Sequence, residues 1–133
     1  MTLHTKTRKQ LLHPELSYQV TGILFAIHNE IGRYGREKQY GDTLESKLKE
    51  NGMEYKREHS IGNSGNVVDF LVEDKIVLEL KAKRLLVKED YYQTQRYLQE
   101  AGIQLGLLVN FRDEYLLPCR IVRIEQEIES KHS

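Results

Sequence analysis

Apolar residues fall into two spacings along this chain, one of three and four residues and one of two, and they outline most of its elements. Leu16, Val20, Ile23, Leu24, Ile27 and Ile31 predict a helix opened by His13-Pro14-Glu15, with Pro14 suited to the first turn. The stretch Gly32 to Gly35 breaks it. A second helix is expected from about Glu37 to the stop at Asn51-Gly52, with Tyr40, Leu44 and Leu48 on its inward face. Glu37 lies three residues before Tyr40 and seven before Leu44, which places an acid on that coreward face.

Three strands should follow: about Glu54 to Ile61, closed by the turn Gly62-Asn63-Ser64-Gly65-Asn66, then Val67 to Val72, then Ile76 to Lys81. The short loop Glu73-Asp74-Lys75 between the last two calls for a left-handed residue at Lys75. A helix from about Lys88 to Ala101 ends at Gly102. Leu105 to Phe111 reads as a buried strand, and Arg120 to Ile124 is a candidate for one more. The order α-α-β-β-β-α-β predicts an α/β (α+β) fold with a central mixed sheet flanked by helices.

The alternation on the two central strands places chemistry. If Asp69 sits opposite Glu79, one sheet face carries Val68, Phe70, Val72, Ile76, Leu78 and Leu80, while the other gathers Asp69, Glu79 and Lys81. A one-residue shift would put charges on the apolar face, which burial opposes. Adjacent carboxylates repel unless a cation lies between them. Oxygen ligands of this kind suit Mg2+ or Mn2+, and a neighbouring lysine can stabilise charge developing on a phosphate. By spacing alone, a structural ion pair accounts for Asp69, Glu79 and Lys81 equally well.

Composition narrows the picture. The 133 residues suit one domain at 13–125, with a flexible leader at 1–12 and a polar tail at 126–133. No apolar stretch approaches a membrane span, and the basic, polar start lacks a secretory core, so a cytoplasmic protein is expected. Cys119 is the single cysteine, which excludes an intramolecular disulfide and a thiolate cluster. With 20 basic and 20 acidic residues the net charge is zero, which speaks against tight, non-specific duplex binding. Lys81, Lys83, Arg84 and Lys88 do cluster, although a solvated face is the simpler account of them.

Several segments together resemble a known family, the small bacterial and archaeal GxxExxY proteins, grouped with the PD-(D/E)XK nuclease superfamily. The pieces, in family order, are Ala26 to Gly32, the Glu-x-x-Tyr of Glu37 to Tyr40, Val67 to Val72, Val77 to Ala82, the Gln-x-x-x-Tyr of Gln93 to Tyr97, and Leu105 to Phe111. The resemblance spans about Leu16 to Arg123. It implies a restriction-endonuclease-like core and divalent-metal-dependent nuclease activity. Asp69, Glu79 and the Leu80 backbone carbonyl would be metal ligands, with Glu37 reaching the ion directly or through water. Lys81 would be the catalytic lysine, with Gln93 facing the site. Tyr97, Lys83 and Arg84 would meet the substrate, a nucleic acid, with DNA favoured over RNA.

There are departures from the family pattern. Tyr34 stands where the motif has its first glycine, and Val68 where the superfamily name has proline. Gly41 lies inside the second helix at a cost of about 0.5–1 kcal/mol relative to alanine. His28 reads as a packing or capping residue near a helix end, and Tyr91 and Tyr92 as core positions of an amphipathic helix. The alternative to a nuclease is a binding or scaffold protein that keeps the fold with little activity, beside a larger partner. A homodimer is also compatible with the sequence, and a small-molecule hydrolase is a distant third. The presence of all four polar site residues favours the enzyme.

Overall fold

A computed structural model of the chain describes residues 12–125, so residues 1–11 of the expected leader and the tail at 126–133 lie outside the described residues. The helices are α1 (Pro14–Ile31), α2 (Glu37–Glu50) and α3 (Lys88–Ala101), and the strands are β1 (Tyr55–Ser60), β2 (Val67–Val72), β3 (Ile76–Lys81), β4 (Leu105–Asn110) and β5 (Cys119–Val122). The sheet has the order β1-β2-β3-β4-β5. Every neighbouring pair is antiparallel except β3 and β4, which run parallel with α3 as the crossover between them. Such a connection needs a dozen or more residues, and a helix supplies them.

Two apolar clusters, one on each sheet face, hold the layers together. Val20, Leu24 and Ile27 of α1 and Tyr40, Leu44 and Leu48 of α2 cover Phe70, Val72, Ile76, Leu78, Leu80, Leu107 and Val109. On the opposite face Leu98 of α3 packs with Val68, Leu71, Val77, Leu108 and Ile121. Leu12 packs against the first cluster and its carbonyl accepts from Arg120. The expected helices and strands are all present, within one or two residues of their expected bounds.

The alternation breaks at one place. Val68, expected beside Phe70, packs instead with Leu71 and Val77 on the α3 face. Opposite this stretch, Glu58 of β1 adopts a left-handed φ of 50°, and neither Glu58 nor Asp69 is paired in the β1–β2 ladder. The strand therefore turns over at Asp69. A second difference lies in the hairpin between β2 and β3, where Glu73 and Asp74 take the left-handed conformation expected at Lys75. The Lys75 N–H closes that turn on the Val72 carbonyl at 2.9 Å.

The junction of α1 and α2 is fixed by Tyr40. Its hydroxyl donates to the Gly32 carbonyl and accepts from the Gly35 N–H, and its ring stacks on Phe111 with centroids 4.1 Å apart. A Cβ on Gly35 would lie 2.9 Å from Tyr40 Cζ, so only glycine fits there. Gly41 has a comparable reason. A Cβ on it would meet Arg57 Nη2 at 2.6 Å, and Arg57 uses that space to reach Asp42 at 2.8 Å and Glu45 at 2.9 Å.

Candidate active site

The β2–β3 ladder ends at Phe70 opposite Leu78, and its continuation sets Asp69 opposite Glu79. There the carboxylates replace backbone pairing. The Asp69 N–H donates to Glu79 Oε2 at 2.9 Å, and the Leu80 N–H donates to Asp69 Oδ2 at 2.7 Å. Each acid thus satisfies a backbone donor of the neighbouring strand, which satisfies polar groups that would otherwise be unpaired near the core. Glu79 is buried, at 4% exposure, and Asp69 is half-buried.

Burial, and next the Asp69 charge, push the Glu79 carboxyl up to about 8, with the Asp69 N–H and the Lys81 charge opposing the rise. Burial also raises Asp69, partly offset by the Leu80 N–H and Lys81. Two acids that resist ionising side by side form a site that gains from a cation.

Lys81, at the end of β3, donates from Nζ to Gln93 Oε1 of α3 at 3.2 Å and lies 3.9 Å from Asp90. Asp90 was not singled out from the sequence, because an acid in the first turn of a helix reads as a cap. It does accept from the Val87 N–H at 2.8 Å, and it also accepts from Lys83 Nζ at 2.9 Å. Burial would raise its carboxyl, but the Val87 N–H and Lys83 outweigh that and hold it below its usual range. Tyr97 is half-buried on α3, and its hydroxyl is raised by burial and then by the Glu79 charge.

Glu37 is exposed rather than turned to the core, a difference that follows from its place at the first residue of α2, one turn before the buried Tyr40. It nonetheless lines one open cleft of about 510 Å³ together with Asp69, Leu80, Glu58 and Arg57. The Glu37 charge adds to the rise of Glu79. Glu58 escaped the sequence reading, since nothing in the strand pattern announces its left-handed backbone. Arg84 is exposed in the segment between β3 and α3. Tyr91 and Tyr92, expected in the core, are 38% and 55% exposed, because α3 presents Thr94 and Leu98 to the sheet instead. His28 accepts or donates at Nε2 against the Asp113 carbonyl at 2.8 Å and lies near Phe111, so it is a packing residue that ties α1 to the end of β4.

Among the described residues no three His, Cys, Asp or Glu side chains converge closely enough to enclose an ion. Asp69 and Glu79 with the adjacent Leu80 carbonyl remain a fitting donor set for a hard divalent cation, since magnesium takes one or two carboxylates and keeps several waters. Also among the described residues, no helix is long and apolar enough to cross a membrane.

No curated protein matches the sequence. Among solved structures, the crystal structure of SSO0001 aligns with a TM-score of 0.48 at 23% identity, covering 83% of this chain and 68% of that one. An alkaline exonuclease from Laribacter hongkongensis aligns with a TM-score of 0.47 at 17% identity, covering 87% of this chain and 73% of that one. The family profile of the PD-(D/E)XK nuclease superfamily matches residues 14–123, which takes in the three helices and five strands of the described residues, and the chain belongs to that superfamily.

Proposed function

We propose that this protein hydrolyses nucleic-acid phosphodiester bonds with Mg2+ or Mn2+ held at the Asp69–Glu79 pair, as a GxxExxY-type member of its superfamily. One observation carries the reading: two acids that burial keeps from ionising are tied to each other across β2 and β3, with the Lys81 charge acting on both. Their ionised state needs a cation, and the open cleft beside them admits one. Asp69, Glu79 and the Leu80 carbonyl would hold the ion, and Glu37 would approach it through water. Such an ion, when bound, polarises a phosphoryl oxygen and acidifies water.

The chain's own residues do the rest. Gln93 accepts from the Lys81 ammonium, and the Asp90 carboxylate stands 3.9 Å from it. From there Lys81 can donate to a phosphate oxygen as negative charge builds on it. Tyr97 of α3, Lys83 and Arg84 would meet the substrate. DNA is the favoured substrate over RNA, and a homodimer or a larger partner would supply the duplex-binding surface that a neutral chain of this size lacks.

The second reading is a nuclease-fold scaffold with little activity. It is favoured by the convergence of no more than two acidic side chains among the described residues. Incubating the pure protein with labelled single- and double-stranded DNA and RNA, with manganese or with EDTA, separates the two. Cleavage that requires manganese supports the enzyme, and intact substrate under every condition supports the scaffold.

A further inference from the structure

The loop between α1 and α2 carries Arg33, Tyr34 and Arg36, and the turn after β4 carries Arg112. The Arg33 guanidinium carbon lies 5.2 Å from the Tyr34 ring centroid, and that of Arg112 lies 5.1 Å from the same centroid. The two charges are therefore no more than about 10 Å apart, a separation comparable to the Debye length at 0.1 M salt. Arg33 Nε donates to the Arg112 carbonyl at 2.9 Å, which locks the two segments together.

Seven other cations among the described residues meet a carboxylate. Arg57 meets Asp42 and Glu45, Lys83 meets Asp90, and Lys47 meets Glu30. Among the described residues neither Arg33, Arg36 nor Arg112 meets a carboxylate, and Arg112 Nε is buried with no hydrogen-bond partner. Like charges held together without a counter-charge attract anions. Tyr34 stays 74% exposed with both guanidiniums in place, so most of the ring remains open.

The patch adjoins the candidate active site. Phe111, next to Arg112, donates its N–H to the Lys81 carbonyl at 2.9 Å. Glu37 and Lys38, directly after Arg36, line the cleft that holds Asp69.

We propose that Arg33, Tyr34 and Arg112 form a subsite for an unpaired nucleic-acid strand, with phosphates on the guanidiniums and a base stacked on Tyr34. The proposal rests on the nuclease reading and adds the form of substrate. A duplex keeps its bases stacked inside, whereas a single strand offers their faces to an exposed aromatic ring and its phosphates to cations.

The test is anisotropy titration of a labelled short single strand, and of a blunt duplex of the same sequence, in EDTA so that nothing is cut. Tyr34→Ala should weaken strand binding roughly five- to a hundredfold, with Tyr34→Phe like the parent and duplex binding unchanged. Arg33→Gln should lower the slope of log affinity against log salt by about 0.7 for the strand. Circular dichroism checks that the variants fold. No strand binding by the parent, or equal losses on strand and duplex, overturns the subsite. Strand binding that depends on Tyr34, without manganese-dependent cleavage, leaves the subsite standing and removes the nuclease reading. Cleavage of single strands that is indifferent to Tyr34→Ala, with unchanged binding, does the reverse.

Discussion

Asp69 and Glu79 are joined through the backbone of one of them: the Asp69 N–H donates to Glu79 Oε2 at 2.9 Å while the Asp69 carboxylate accepts from Leu80 at 2.7 Å. The bonds hold both acids in place whether or not they are ionised. The geometry of the pair is thus set by the fold, while its charge is left to pH and to whatever cation arrives.

Stability of the metal-free protein should fall as pH rises from about 4.5 to about 8. Glu79 is raised to about 8 in the fold from a usual value of 4.5. The folded state therefore holds a proton that the unfolded chain has released across that window, and stability is lost as the proton leaves. Thermal melts in EDTA at a series of pH values check this. Glu79→Gln keeps the acceptor for Asp69 and should flatten the decline, leaving the variant more stable than the parent at pH 8, by an amount on the order of a few kcal/mol. A parent that is equally stable at both ends contradicts the assignment.

Asp69→Asn should abolish cleavage and weaken manganese binding in calorimetry, yet leave the metal-free protein as stable as before or more so. The amide oxygen can still accept from Leu80, and the repulsion with Glu79 is gone. Lys81→Ala should behave differently. Metal affinity should hold, while cleavage falls about a hundredfold or more, because the lost interaction serves the transition state. A structural ion pair would show the contrary, with both variants destabilised and metal binding untouched.

Glu37→Ala should fold with a stability loss below about 1 kcal/mol, the scale of an exposed acid at a helix N-terminus. Manganese should bind it more weakly, because Glu37 faces the same cleft as Asp69. Parent-like affinity would remove Glu37 from the site.

Asp90→Ala should cost about 1–3 kcal/mol, since it leaves the Val87 N–H and Lys83 without their acceptor. The Asp90 carboxyl is held below its usual 3.8. Its contribution is therefore present above that value and lost as pH falls through the lower folded one. Urea unfolding of parent and variant should thus converge at strongly acid pH and differ at neutral pH. A constant difference at all pH values contradicts a charged role for Asp90.

The helices and strands were legible because each buries one face, and burial imposes a period of 3.6 or 2 on the order of residues. The core positions Val20, Leu24, Ile27, Tyr40, Leu44 and Leu48 are buried as their spacing requires. The same logic put Asp69 and Glu79 opposite each other, because a slipped register would have buried charge. Where a residue's position depends on partners far along the chain, the pattern was silent or misleading. Val68 changes face because Asp69 and Glu79 bond to backbone donors across the strands. Gly41 is tolerated in a helix because Arg57 fills the space a side chain would take.

By itself, then, the sequence determined the elements and the register of β2 on β3, since local periodicity and the cost of burying charge allow little else. Tertiary structure alone decided that Asp90 stands beside Lys81, that Glu37 opens onto the cleft rather than the core, and that Arg33 and Arg112 meet over Tyr34. Each of those depends on segments distant in the chain, and periodicity carries no information about which distant segments the crossover and the helix junction will bring together.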